Sequence, residues 1–546
     1  MRKIILISLF SFFVSIPVIL PFLHNGYFPT HDGEWAVVRL TDMFRTLRDF
    51  QIPPRYSGNL NFGYGYPLFN FTYPFPYYLG TFVHLLGIGF VDTIKILFGA
   101  SVLLSAFFMF LASKALWKST LAGVISAVLY IYFPYRMVDL FVRGSIGESL
   151  SFVLFPLLFY LVIKLLNKPS TFLIGSIAVF ISILIMTHNI MTVLFMPILV
   201  VFAISQIAFS KTKSIKPFII SIILGLGISA FFWIPAIFEK HNILLSQIPI
   251  ADRNLYFVTL SQLLLPKWGY GVPIGENGFT YQLGLAHIAI FAITFIYLLF
   301  DFIKKQEIFK EYYLKIAAIL IIISLILMFL LFKPSSFLWE NIPLLSEINY
   351  PWITLGILGF IVSLLAGFLC RQSSIKYFIF FIAILAVIVV LPYVRREYPF
   401  NKGDDYYLTN DATTTSSHEL MPLWVKKFPS QRLTEKVEII KGNGHINNLF
   451  YNSKQVKFSI NLLIDSIIRI NTIYYPGWKI YANNIDVPIS YSNQHGVMDI
   501  SLRLGSHVVE AKFEETPLRL TSNIISLLTI FALLYLIIKR YKHEFS

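Results

Sequence analysis

Apolar runs long enough to cross a bilayer alternate along this chain with short polar joints. A helix of about 20 residues crosses the roughly 30 Å of hydrocarbon. Runs of that kind lie near 4–22, 93–113, 119–134, 148–166, 171–187, 190–209, 217–238, 284–303, 313–332, 352–370, 376–393 and 521–538. The pattern predicts a polytopic α-helical membrane protein with about twelve transmembrane helices. A further stretch, 77–90, contains Gly80, His84, Gly87 and Gly89. It is too short to span and reads as a re-entrant or surface helix.

From 394 to 520 the period changes. Segments 456–460, 466–475, 479–481, 496–504 and 507–513 alternate apolar and polar residues between turns, which predicts an extracytoplasmic β-sandwich-like domain. The chain then divides into a helical membrane domain (1–393) with long loops at 23–92 and 239–283, the β-rich domain (394–520), and a last helix with its tail (521–546). In the first loop, Trp35 to Phe50 sets Val38, Met43, Phe44 and Leu47 among Arg39, Asp42, Arg45, Arg48 and Asp49. That stretch predicts an amphipathic helix lying on the bilayer surface.

Composition excludes a soluble protein, because 56% of residues are hydrophobic and 13% charged, and mean hydropathy is +0.69. Loop charges set the sidedness. Lys114 and Lys118, Lys164 and Lys168, Lys211, Lys213 and Lys216, Lys304, Lys305, Lys310 and Lys315, and Arg371 and Lys376 all fall on one side. Arg2, Lys3 and the tail residues Lys539, Arg540 and Lys542 join them. Basic loops mark the cytoplasm, so the amino terminus is inside and the long loops and β-domain face outward across the plasma membrane. The net charge of +15 then belongs to loops that meet anionic headgroups, and no nucleic-acid partner is implied. The first segment lacks a small-x-small cleavage site, which makes it a retained helix. A single cysteine, Cys370, excludes an internal disulfide and a cysteine metal cluster. Asn70-Phe-Thr72 matches a glycosylation sequon on the outer side, a motif short enough to arise by chance. Nucleotide-binding, Gly-x-Ser-x-Gly and His-Glu-x-x-His patterns are absent where they would need to lie, and no long internal repeat stands out.

Candidate chemistry starts at Asp32, in Pro29-Thr-His-Asp-Gly-Glu34, just after the first span. A carboxylate held at a membrane surface suits chemistry on a lipid-borne substrate. The aromatic, Gly/Pro-rich segment 56–76 serves either as interfacial anchors or as a sugar- or lipid-binding surface. Arg136 and Arg143 flank a helix start, an arrangement suited to phosphate. Glu148 either complements that helix dipole or acts in catalysis or metal binding. Thr187-His-Asn189 joins two spans through a tight turn on the same side. His188 there serves the turn itself or contacts phosphate, substrate or metal. The 239–283 loop, with Lys267-Trp-Gly-Tyr270 and Glu276-Asn-Gly278, is a candidate lid.

His31-Asp-Gly-Glu34, Arg55-Tyr, Gly63-Tyr-Gly-Tyr-Pro67, Arg143-Gly-Ser-Ile-Gly-Glu148 and Thr187-His-Asn189 resemble the bacterial membrane proteins labelled 6-pyruvoyl-tetrahydropterin synthase-related. That label does not by itself imply pterin chemistry. Such proteins are similar in plan to the GT-C superfamily of glycosyltransferases. The carboxyl end, Tyr474-Tyr-Pro-Gly-Trp-Lys-Ile-Tyr481 through Phe513-Glu-Glu-Thr-Pro-Leu-Arg519, resembles that of membrane proteins that glycosylate lipoteichoic acid. The resemblance implies inverting transfer of a sugar from a polyprenyl-phosphate donor to an extracytoplasmic glycan, lipid or protein. It places Asp32 as base or metal ligand, with Glu34 as its neighbour. Arg55, Arg136, Arg143, His188 and Asn189 become candidates for the donor phosphate or substrate, and His31 and Glu148 for structural or metal roles. No cofactor is fixed. A divalent metal stays open because the Asp-x-Asp pair of metal-dependent members is missing. Many members carry aromatic-Pro-Trp-Arg on a later span; this chain has Tyr350-Pro-Trp-Ile353. A transporter or flippase of lipid-linked saccharide is the main rival, although such a protein needs polar groups at mid-membrane and the inner halves of these spans are notably free of charge. A non-catalytic envelope assembly protein is the other.

Overall fold

The computed structural model describes residues 2–209, 214–272, 278–305, 310–371, 375–398 and 402–545. Lys211, Lys213, Glu276 and Asn277 lie outside the described residues. Each of the twelve apolar segments is helical. Among the described residues nine helices are long and apolar enough to cross a membrane. Thr171–Thr187 is a shorter apolar helix, and the remaining two segments are bent pairs. One pair, Thr120–Ile131 with Pro134–Arg143, turns by 46°, and the other, Lys216–Ile228 with Ala230–Phe238, by 69°. Pro134 has no N–H to continue the first helix. Pro351–Leu369 is wholly buried and forms the bundle axis. Phe360 packs there against Phe155, Phe159 and Phe195, with Phe159 to Phe360 centroids 4.9 Å apart.

The amphipathic stretch of the first loop is a helix, Gly33–Arg48, but it does not lie on the bilayer surface. Ala36, Val37, Val38, Leu40 and Met43 are buried against the protein. A strap at 402–420 crosses its other side: Arg39 Nε donates to Thr414 Oγ1 at 3.1 Å and Arg45 to the Leu408 carbonyl at 2.7 Å. Amphipathic periodicity is the same for a helix on lipid and for a helix on protein; the strap, more than 350 residues away in sequence, decides between them. The region 77–90 contains a short helix, Phe75–His84.

Burial on the loop helix has a measurable consequence. Desolvation pushes the Asp42 carboxyl up from its ordinary 3.8 to about 6. The folded state favours the protonated acid, so this group's contribution is fully present below about pH 4 and is lost as pH rises through the folded-state value. Asp42→Asn is therefore expected to stabilise the protein near pH 8 by on the order of 3 kcal/mol. The gain should vanish in thermal unfolding at about pH 4.

The carboxyl-terminal region forms two packed antiparallel sheets. β1 (Val437–Lys441), β4 (Ser466–Ile473) and β7 (Val497–Leu502) make a three-stranded sheet in the order β1-β4-β7. β2 (Gly444–Tyr451), β3 (Gln455–Leu462), β5 (Trp478–Ala482), β6 (Ile485–Val487) and β8 (Gly505–Phe513) make the other, in the order β2-β3-β8-β5-β6. The buried faces supply Phe458, Ile460, Ile468, Ile470, Ile480 and Val509. β1, β2 and β6 have no counterpart among the expected strands; β2 is mostly exposed and β6 has three residues, so neither carries clean alternation.

Polar clusters fix this domain to the helices. Glu239, after the second bent pair, accepts from Asn70 Nδ2 (2.9 Å), Tyr475 (3.3 Å), Thr516 (3.1 Å) and Arg519 (2.8 and 3.1 Å). Nearby, Arg55 pairs with Glu515 at 3.3 Å and donates to the Phe231 carbonyl and Asn523. Asn70 is fully buried in the first cluster, and folding takes its amide as a hydrogen-bond donor, so the sequon match is a chance one.

Candidate functional site

Three of the short motifs meet backbone to backbone. The His31 and Asp32 amides donate to the Val142 and Arg143 carbonyls at 2.9 and 2.8 Å. A π-helical turn, Asp139–Arg143, precedes that pairing and ends in Gly144 with φ +65°. A Cβ on Gly144 would sit 2.3 Å from Thr30 Oγ1 and 2.8 Å from the Gly33 amide nitrogen. A Cβ on Gly147 would sit 2.5 Å from the Thr187 carbonyl and 2.8 Å from the Tyr73 ring. These glycines allow the first loop, the bend and the Thr187-His188 turn to close on one point. Gly144→Ala is expected to lower the unfolding temperature in detergent more than Gly87→Ala. Gly87 shares a positive φ (+90°) but has nothing within 4 Å of its added Cβ, so the comparison separates the clash from the backbone cost of on the order of 1–3 kcal/mol.

Side chains converge on the same point. The Arg143 guanidinium lies 4.6 Å over the Trp352 ring. It pairs with Glu148, lies 3.6 Å from Asp139 and donates to Tyr135 at 3.0 Å. The polar contacts all use Nη1, and the guanidinium plane rests on Trp352. Tyr135 in turn donates to Glu148 at 2.5 Å, and Ser149 to Asp139. His188 stacks on Tyr73 at 5.4 Å, and its Nδ1 accepts from the Met191 amide at 3.3 Å. That bond fixes Nδ1 as acceptor and Nε2 as the protonated nitrogen of the neutral ring. Burial pushes the Tyr73 and Tyr77 phenols above the usual tyrosine range, so both remain protonated donors. Asp32 begins the loop helix without using its side chain as a cap. Its charge acts on Arg143, Tyr73, Tyr77 and Tyr350. Trp352 is walled by Phe279, Tyr281 and Tyr350, with centroids 5.3, 6.1 and 5.4 Å away. His31 binds the Tyr270 carbonyl at 2.7 Å, which brings the 239–283 loop against the site.

Several expected residues lie apart from this cluster or are occupied within it. Arg55 belongs to the lock between β-domain and helices described above. Arg136 is buried behind the bend, donating to Ser101 at 3.2 Å and lying 4.7 Å over Phe152. Glu34 turns to the strap, accepting from Tyr407 at 3.2 Å with Lys402 at 3.8 Å. Glu148 is fully buried and serves Arg143. Asn189 is exposed at the start of its helix. Among the described residues no three His, Cys, Asp or Glu side chains converge to hold a metal. Sequence reasoning missed Asp139, which no motif marks, and Trp352 as a platform.

Fold and site together define a polytopic membrane protein with a β-domain and with an acid, a guanidinium and an aromatic wall in one cluster. The chain belongs to the family of membrane proteins described as the 6-pyruvoyl-tetrahydropterin synthase related domain, which matches residues 69–398. That match takes in Arg143, His188 and Trp352 and leaves Asp32 outside it. An uncharacterised protein of Lactococcus lactis subsp. cremoris is 23% identical over 234 residues, 41% of this chain and 38% of that protein. The apo oligosaccharyltransferase of Archaeoglobus fulgidus aligns with 78% of this chain and 62% of its own, at 14% identity and a TM-score of 0.46. The mycobacterial arabinofuranosyltransferase AftD aligns with 74% of this chain and 28% of its own, also at 14% identity and 0.46. The chain thus spans less than two thirds of the length of each.

Proposed function

We propose that this protein is a GT-C-like membrane glycosyltransferase that moves a sugar from a polyprenyl-phosphate donor to a glycan, lipid or protein acceptor. The loop charges assign the reacting side as extracytoplasmic. One observation carries the reading: the Asp32 carboxylate is not spent as a helix cap, and its backbone is bonded directly to that of Arg143. The acceptor hydroxyl gives its proton to Asp32 as its oxygen attacks the anomeric carbon. The carbon–phosphate oxygen bond breaks on the opposite face, and the phosphate leaves toward Arg143 and His188 Nε2. Donors aimed at the developing charge lower the barrier most where water is excluded, which the aromatic wall and the 239–283 loop favour. Asp139, Glu148 and Tyr135 hold the guanidinium in position over Trp352.

The test uses purified protein in liposomes with a panel of polyprenyl-phosphate sugars and soluble and lipid acceptors. Sugar appearing on an acceptor from at least one donor is the expected result. Intact lipid-linked sugar crossing the bilayer with no transfer would replace this reading with the transporter, and neither event would leave the assembly role.

A further inference from the structure

The five-stranded sheet turns one face away from its partner sheet, and that face is chemically divided. Toward one end the register brings Lys457, Glu510, Lys512 and Lys479 into adjacent rows, and the ion pairs Lys512–Glu510 (2.8 Å) and Lys479–Glu514 (2.9 Å) join them. Toward the other end a groove of about 250 Å³ is lined by Asn447, Ser459, Asn461, Asn483, Ser506 and His507. No carboxylate, lysine or arginine lines it.

Those groups hold one another in place. Ser506 donates to Asn461 Oδ1 at 3.1 Å, Asn448 donates to Ser459 at 3.2 Å, and the Val508 amide donates to Asn483 Oδ1 at 2.9 Å. The Asn483 amide returns a bond to the Val508 carbonyl, also at 2.9 Å. A bulge between Asn447 and Phe450 shifts the edge strand. Phe450, opposite Lys457 and more than half exposed, then stands on the same face as a free ring.

We infer that this groove binds a neutral saccharide. Carboxamides and hydroxyls both donate and accept, as sugar hydroxyls do. The groove lining itself offers no cation to a phosphate polymer or a nucleic acid, and Lys457, opposite Phe450, has Glu510 as its partner on the next strand. Fixed polar groups lose little conformational freedom on binding, and the Phe450 ring supplies an apolar face for the C–H side of a sugar ring. The site is separate from Asp32 and Arg143 and does not depend on the proposed transfer reaction.

Saturation-transfer difference NMR on the full chain in lipid nanodiscs tests this, with maltohexaose, cellohexaose, mannohexaose and chitohexaose as probes and polyglycerol phosphate as the anionic control. Transfer is expected to at least one neutral oligosaccharide, to persist in Asp32→Asn, and to fall to background in the double variant Asn461→Arg/Ser506→Arg. Both positions are exposed, so circular dichroism should match wild type; they face each other across β3 and β8, so the paired arginines should lower the unfolding temperature only slightly. Silence from every neutral probe overturns the inference. So does transfer that survives the double variant, or transfer seen only with polyglycerol phosphate.

Discussion

Asp32→Asn is expected to reduce sugar transfer by about 10²–10⁴-fold, the usual contribution of a positioned general base, while leaving the unfolding temperature unchanged. Asparagine keeps the shape of the side chain and removes only its capacity to take a proton. Folding does not draw on the carboxylate, because the loop helix starts without a side-chain cap there. Its backbone bond to Arg143 also survives the substitution. Glu34→Gln is the matched comparison: Glu34 contacts Tyr407 and Lys402 of the strap, so its loss should spare turnover and loosen the strap instead. Arg143→Lys should impair transfer as well, since an ammonium keeps the charge but loses the flat stack on Trp352 and the forked donors. Initial rates in liposomes, read beside thermal unfolding of the same preparations, check all three. Equal rates for wild type and Asp32→Asn would remove Asp32 as the base.

Arg519→Met is expected to cost about 3–5 kcal/mol, the scale for stripping one partner from a buried ion pair. The Arg519 side chain is fully buried and bonds Glu239 at 2.8 and 3.1 Å while lying 5.3 Å over the Tyr475 ring. Asn70, Tyr475 and Thr516 would still donate to Glu239, but the carboxylate would keep no cation in direct contact. The double variant Glu239→Leu/Arg519→Met should recover much of the loss, because an apolar pair of similar volume replaces a desolvated one. Lys479→Met, which removes a surface pair with Glu514, should leave stability unchanged. Thermal unfolding in detergent of the single and double variants tests this, and a small loss in Arg519→Met would mean that the lock does not carry the contact between β-domain and helices.

Much of the architecture was legible because lipid and water impose simple periods. All the apolar segments became helices, since a chain crossing hydrocarbon has to satisfy its own backbone. The strand-like segments after 455 became the sheets, their alternation matching one buried and one exposed face. β2 escaped notice because its residues are largely exposed, and exposed strands lack the pattern that marks the others. Asp32, Arg143 and His188 were singled out because each breaks the apolar pattern near a helix end.

Taken alone, the sequence determined that this protein is a membrane helix bundle with a β-rich end, and which polar residues interrupt its apolar runs. Those are local properties, written in periods of 3.6 and 2. The tertiary structure decided which of those residues meet. Gly144 and Gly147 let three distant motifs touch, and the second bend set Arg55, Arg519 and Glu239 to locking the β-domain. Burial turned Arg136 toward Ser101 and Glu148 toward Arg143. Contacts between residues tens or hundreds of positions apart depend on how helices pack and where loops return, and no periodicity in the chain encodes that.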